Sequence, residues 1–92
     1  MKINVKSFAH LRLALGQSPL AVDLPEGATT ADLIAYLGNH YGEAAHKAIV
    51  MEDGKTLKVT PVNEGKAVVL DAPLKEGMTI VFMSHLAGGG GR

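Results

Sequence analysis

The chain has 92 residues, room for one small domain, and 47% of them are hydrophobic, enough for a core and too many for wholesale disorder. Nine Lys plus Arg balance nine Asp plus Glu, and this zero formal charge argues against nucleic-acid binding by phosphate neutralisation and against polybasic membrane attachment. Cysteine is absent, which excludes a disulfide framework, a Cys-based zinc site, a CxxC redox site and a cysteine nucleophile.

Residues 2–6 alternate with period two. Ile3 and Val5 face one way and Lys2, Asn4 and Lys6 the other, as in a strand with one face on a core. Phe8 closes this run. Residues 9–16 (AHLRLALG) are apolar but carry His10 and Arg12 and end in Gly16, so they read as a turn-forming connection with one helical turn. His10 and Arg12 also interrupt the only N-terminal stretch that resembles a signal peptide. No apolar run reaches membrane-spanning length, and the expected compartment is the cytoplasm. Leu20, Val22 and Leu24 then alternate with Ala21 and Asp23 until Pro25, Glu26 and Gly27 stop the run. The two runs are expected to pair antiparallel.

Residues 29–41 carry the helix signals. Thr29 and Asp32 have the spacing of a capping box, and Leu33, Ile34, Leu37 and Tyr41 build one apolar stripe. Gly42 is placed to supply a left-handed C-terminal cap, while Gly38 inside the stripe costs roughly 1 kcal/mol relative to Ala. Residues 43–47 are expected to add a short helical stretch.

The remainder reads as strands and turns. Residues 48–51 are an apolar run, Asp53-Gly54 is a hairpin dipeptide, and residues 57–62 form a strand whose Pro61 marks an edge or an end. Asn63-Glu64-Gly65 turns the chain into a strand over 67–70, and residues 73–77 (PLKEG) make a compact surface corner. Residues 79–83 are continuously apolar, as in a strand buried on both faces. Phe8, Phe82 and Met83 are expected in the core.

Strand, strand, helix and several strands make an α+β chain. A mixed sheet with one main helix packed across it buries both the helix stripe and one sheet face, which is the β-grasp architecture. An open meander with a packed helix and a small split barrel are the alternatives. The expected division is a β-grasp domain over 1–87 and a flexible glycine-rich tail over 88–92.

The chain ends Leu86-Ala87-Gly88-Gly89-Gly90-Gly91-Arg92. Four glycines in a row cannot pack a core and carry no helix or strand preference. They read either as a frayed end or linker, or as a tail thin enough to thread a narrow channel and place a terminal carboxylate on an activated phosphate. A phosphate-cradling loop fits poorly, because no strand-to-helix context follows. Elsewhere, His10, His40, His46 and His85 are scattered without metal-ligand spacing and read as solvated, with His85 placed to touch the tail. Glu52 and Asp53 are adjacent, but the turn accounts for Asp53. Lys55, Lys58, Lys66 and Lys75 read as solvated surface charges. No nucleophile–base or metal constellation can be assembled, so neither a catalytic residue nor a metal ligand is assigned.

Several segments together resemble the MoaD/ThiS family of ubiquitin-like sulfur carriers, and within it the small subunit of molybdopterin synthase. They are Val5-Lys6-Ser7-Phe8-Ala9-His10-Leu11-Arg12 closed by Gly16, Val62-Asn63 in a late strand, Leu74-Lys75-Glu76-Gly77 before the last strand, and the Gly-Gly tail. Their order and spacing cover nearly the whole chain. The resemblance implies a β-grasp fold and no catalysis by the chain itself. It implies that the C-terminal glycine carboxylate is adenylated by an E1-like enzyme using ATP and magnesium, that a persulfide sulfur donor replaces AMP, and that the resulting thiocarboxylate gives sulfur to a pterin precursor on the molybdopterin synthase large subunit.

Two features depart from the family pattern. Arg92 follows the glycines, so a peptidase must remove it before Gly91 becomes the terminus. Loss of residues 90–92 would instead expose Gly89, which the register from the last strand favours. The two termini differ in reach by roughly 7 Å. Met78-Thr79 and Ser84-His85 also stand where the family often has an acidic pair and Pro-Pro. Carriers for another acceptor (tungsten-pterin, thiamin or tRNA), a protein modifier, and a β-grasp interaction module without carrier activity therefore remain as alternatives.

Overall fold

The computed structural model describes residues 1–84. The alternating N-terminal run becomes β1 (Lys2–Lys6), and it is followed by α1 (Ala9–Leu15), β2 (Leu20–Asp23), α2 (Thr30–Tyr41), α3 (Glu43–Ile49), β3 (Val59–Asn63), β4 (Lys66–Ala67) and β5 (Thr79–Ser84). The sheet order is β2-β1-β5-β3-β4. β1 pairs antiparallel with β2, with Ile3 opposite Val22, as the two alternating runs require. β5 lies between β1 and β3, parallel to the first and antiparallel to the second. This mixed sheet with helices across it is the expected β-grasp architecture.

The helices cover one face of the sheet. Ile3, Val5, Ile80 and Phe82 point into a core shared with Leu11, Leu33, Leu37 and Ile49. Each such side chain contributes about 1.5–3 kcal/mol when fully buried, so the α2 stripe easily outweighs its internal Gly38. Gly38 has its own reason to lack a side chain. A Cβ there would lie 3.3 Å from Cδ2 and 3.4 Å from Cβ of His46, because α3 folds back across α2 at this point. Gly42 makes that turn with φ 92° and ψ −174°, which is not the left-handed cap expected of it. Its N–H still reaches the Gly38 carbonyl at 3.1 Å, and the same residue opens α3.

Several expectations are corrected. Residues 9–15 form a two-turn helix rather than a connection, since Leu11 and Leu15, four apart, bury one stripe and leave Leu13 79% exposed. Gly16 closes it in the left-handed region, with φ 86° and its N–H on the Arg12 carbonyl. α3 runs on to Ile49 and absorbs half of the 48–51 run, so that only Val50 pairs, in a lone bridge with Leu57. The strand expected over 67–70 stops at Ala67. Beyond it the Leu70 and Ala72 carbonyls turn away to accept from Ala31 and Thr30 at the start of α2.

β5 is buried on one face only. Ile80 and Phe82 are buried, Val81 is half-buried and Met83 is 48% exposed, because none of the described helices covers the outer face. Phe8 is 57% exposed where it precedes α1, so of the three expected core residues only Phe82 is one. Pro61 sits inside β3, opposite Phe82. Its carbonyl accepts from Val68 on the β4 side, so its missing N–H also faces that side and the β5 ladder loses nothing. Glu64 and Gly65, with φ 50° and 83°, form the two-residue turn between β3 and β4.

Candidate functional site

Residues 85–92, and with them Gly88, Gly89, Gly90, Gly91, Arg92, His85 and the expected 87/88 boundary, lie outside the described residues. What is described is the root from which that segment leaves. Ser84 ends β5, in the middle of the sheet, and pairs with Val59 at the start of β3. The strand is held by β1 over residues 79–81 and by β3 over residues 81–84, so that both neighbours meet it at Val81. Val81 sits between Lys6 on β1 and Val62 on β3.

The segments singled out in the sequence converge on holding β5 in place. The Asn63 side chain donates from Nδ2 to the Thr79 carbonyl at 2.8 Å, tying the end of β3 to the start of β5. The 73–77 corner is less superficial than expected. Leu74 is buried and its N–H reaches the Ala28 carbonyl at 2.8 Å. Gly77 takes φ 82° and donates to the Lys2 carbonyl, while Glu76 Oε1 accepts from the Lys2 N–H at 2.9 Å. Together these bonds deliver the chain beside β1 in the parallel register.

The uncovered sheet face carries an apolar stripe beside this root. Val62 and Val81 are direct partners on β3 and β5, and Met83 follows two residues on, opposite Thr60. Sequence reasoning left the residues of a docking face unassigned. The available signal was β5 itself: its outward positions, Val81 and Met83, are as apolar as its inward ones.

The other candidate residues take structural or solvated places. His10, His40 and His46 are exposed. His40 stacks on Tyr36 with ring centroids 5.0 Å apart and meets the edge of Tyr41 at 5.1 Å. Among the described residues no three His, Asp or Glu side chains gather as a metal site. Asp53 closes its own loop. Its carboxylate accepts from the Thr56 hydroxyl at 2.6 Å and from the N–H groups of Thr56 and Lys55 at 2.8 Å. The Thr56 hydroxyl bond first, then the two backbone bonds, lower its pKa from 3.8 to about 2. A carboxylate so engaged is a turn device rather than a general base. Lys55, Lys58, Lys66 and Lys75 are all exposed, as expected. No described helix is long and apolar enough to cross a membrane.

No family model matches the chain, and no curated protein matches it. Solved structures do. SAMP1 from Haloferax volcanii superposes with a TM-score of 0.79 at 21% identity, covering 91% of this chain and 94% of that one. A protein titled as a candidate molybdopterin converting factor, subunit 1, from Pyrococcus furiosus gives 0.69 at 27% identity, covering 91% and 97%. The Haloferax volcanii HVO 2177 protein, solved in solution, gives 0.75 at 20% identity, covering 91% and 82%. These are ubiquitin-like, MoaD/ThiS-type small proteins, and the β-grasp fold they share is the fold of this chain, as the sequence resemblance implied.

Proposed function

We propose that this β-grasp chain of MoaD/ThiS type is a sulfur carrier whose C-terminal glycine becomes a thiocarboxylate. The observation that carries the reading is the placement of the glycines. The run Gly88 to Gly91 begins four residues after Ser84, where the central strand β5 ends. The chain that will react is thus rooted in the central strand of the sheet, between β1 and β3. The likeness to a molybdopterin converting factor subunit supports the carrier reading.

The chemistry needs little from the chain itself. A carboxylate is a poor electrophile until one of its oxygens is bonded to a good leaving group. In the proposed sequence an E1-like partner, using ATP and magnesium, lets the glycine carboxylate attack the α-phosphorus and releases pyrophosphate. A persulfide sulfur then attacks the acyl carbon and AMP leaves. A second thiol cleaves the S–S bond, leaving the thiocarboxylate and a disulfide. The sulfur passes to a pterin precursor held by a molybdopterin synthase large subunit. Glycine suits each step because its backbone alone enters a narrow channel. Gly91 is the proposed reacting terminus after a peptidase removes Arg92, with Gly89 as the alternative. The work is placed in the cytoplasm, where ATP is plentiful.

A second reading shares the first step and differs in the acceptor. Two of the solved structures are named as small archaeal modifier protein 1, which supports a ubiquitin-like modifier whose activated glycine is joined to an amine of another protein. The intact mass of the chain purified from its own cells tests both. A terminus at Gly91 or Gly89 with one oxygen replaced by sulfur is the expected result. A trimmed chain found only in amide linkage to other proteins would favour the modifier. A chain that keeps Arg92 when an adenylating enzyme, ATP and a persulfide donor are supplied would refute both and leave an interaction module.

A further inference from the structure

On the helical side of the molecule, next to the root of β5, a groove of about 610 Å³ opens between the start of α1, α3 and the 51–58 loop. Its floor is apolar and includes Phe82 and Val59, both buried. Two of its lining side chains are large hydrophobics left open, Phe8 at 57% exposure and Met51 at 46%. Such an open apolar floor flanked by two exposed hydrophobics has room to seat the apolar side chains of a partner.

The charges that line it are of one sign, while Glu43, Glu52 and Asp53 stand nearby outside the lining. Among the described residues the ionic side chains lining the groove are Lys47 and Lys58, with His10 as a further titratable group, and no carboxylate lines it. This stands out in a chain whose formal net charge is zero. Lys58 makes no ion pair among the described residues, and Lys47 has only an exposed contact with Glu43 at 3.6 Å. Such contacts are worth little and exchange readily for a better partner.

We infer that this groove binds a short peptide segment of a partner protein, one that combines apolar anchors with Asp or Glu side chains. The anchors would fill the space over Phe82 between Phe8 and Met51, and the carboxylates would meet Lys47 and Lys58. Charge complementarity selects this occupant over the chain's own end. Residues 85–92 contain no Asp or Glu, so with Arg92 removed they would bring one carboxylate, the terminal one, to two lysines, whereas a peptide with several acidic side chains meets both. The groove and the outer Val81–Met83 face lie on opposite sides of the sheet. A partner gripping the groove therefore leaves that face open while sitting beside the point where residues 85–92 depart. Peptide binding here does not depend on carrier chemistry and would stand if that reading failed.

The test is a selection followed by a mapping. A phage-displayed library of random dodecapeptides is panned on the immobilised full chain, and the enriched peptides are synthesised. Affinity is read by fluorescence polarisation, and amide shifts are followed in ¹H–¹⁵N spectra. The expected result is enrichment of sequences pairing Leu, Ile, Phe or Trp with Asp or Glu, and shifts at Ala48, Met51 and Lys58. The double change Lys47→Glu/Lys58→Glu, at two exposed positions, should weaken binding at least about tenfold. Lys2→Glu, far from the groove, should change it by less than about twofold at moderate salt. Ala48→Arg, which fills the groove without altering either lysine, provides an independent loss of binding. The inference is overturned by any of the following: no enrichment, peptides without carboxylates, shifts confined to the outer sheet face, or affinity indifferent to both groove variants. It is also overturned if a chain lacking residues 85–92 shows the same shifts without peptide, if sedimentation shows a dimer closed over the groove, or if phosphatidylserine vesicles bind there and peptides do not.

Discussion

Replacing Thr29 by Ala removes the side chain that caps α2, and its cost can be worked from the bonds around it. The first four N–H groups of a helix lack intrahelical partners. Here each has one. Thr29 donates to Asp32 Oδ2 at 2.9 Å, Thr30 to the Ala72 carbonyl at 3.1 Å, Ala31 to the Leu70 carbonyl at 2.9 Å, and Asp32 to Thr29 Oγ1 at 3.3 Å. Thr29→Ala breaks only the last and longest of these. The expected loss is at the low end of capping effects, about 0.5–1 kcal/mol. For a domain of this size that lowers the melting temperature by about 3–6 °C. Asp32→Ala should cost about 1 kcal/mol, since it removes the shorter bond and an acid from the helix N-terminus. The double variant should cost the sum to within about 0.5 kcal/mol, because each single change breaks a different bond of the reciprocal pair. Urea unfolding followed by circular dichroism, with Thr29→Ser as a control that keeps the acceptor, measures all of these. A loss above about 2 kcal/mol for Thr29→Ala would mean that the Ala72 and Leu70 carbonyls do not hold the helix start. Equal losses for Ser and Ala would show that the hydroxyl is not the cap.

Four further outcomes are expected. The Asp53 carboxyl should titrate near 2 by carbon NMR; being depressed from 3.8, its contribution to loop order is complete above that pH and is lost as pH falls through about 2. Thr56→Val removes the largest cause and should move the midpoint upward, and an unmoved midpoint refutes the assignment. Among the described residues Thr30 Oγ1 is buried without a hydrogen-bond partner, so Thr30→Val should raise stability by about 1 kcal/mol in urea titrations, and a loss refutes the unpaired hydroxyl. Gly38→Ala should be close to neutral in the native chain, where the new Cβ meets His46, yet gain about 1 kcal/mol in a His46→Ala background; equal effects in both would dismiss the contact. On the proposed carrier reading, with the E1-like partner docked on the outer sheet face, Met83→Glu should leave the melting temperature within a few degrees but slow adenylation about tenfold, read as ATP–pyrophosphate exchange, and an unchanged rate refutes docking there.

Much of the fold was legible because its signals are local. Alternation in residues 2–6 and 20–24 placed two paired strands, and Thr29 with Asp32 placed a capping box that forms as read. Gly16 closed a segment whose helical length was missed, since two buried leucines four apart are a weak periodic signal. Met83 and Phe8 were read as core because hydrophobicity states a preference for burial without naming which face of a strand is covered. The candidate site divides in the same way. Its glycines stand in plain view in the sequence, whereas the Val62–Val81 stripe and the groove over Phe82 bring together residues far apart along the chain.

Chain-local chemistry decides which residues turn, alternate or cap, because those choices rest on backbone dihedrals and on hydrogen bonds spanning three or four residues. The short β4, the close pass of α3 at Gly38 and the bare outer face of β5 depend on where other segments come to rest. Leu70 and Ala72 give up a strand because the start of α2 needs their carbonyls, some forty residues earlier in the chain. Such a need arises only once the sheet has brought the two segments together, and a buried N–H group left without an acceptor would cost more than a strand extension gains.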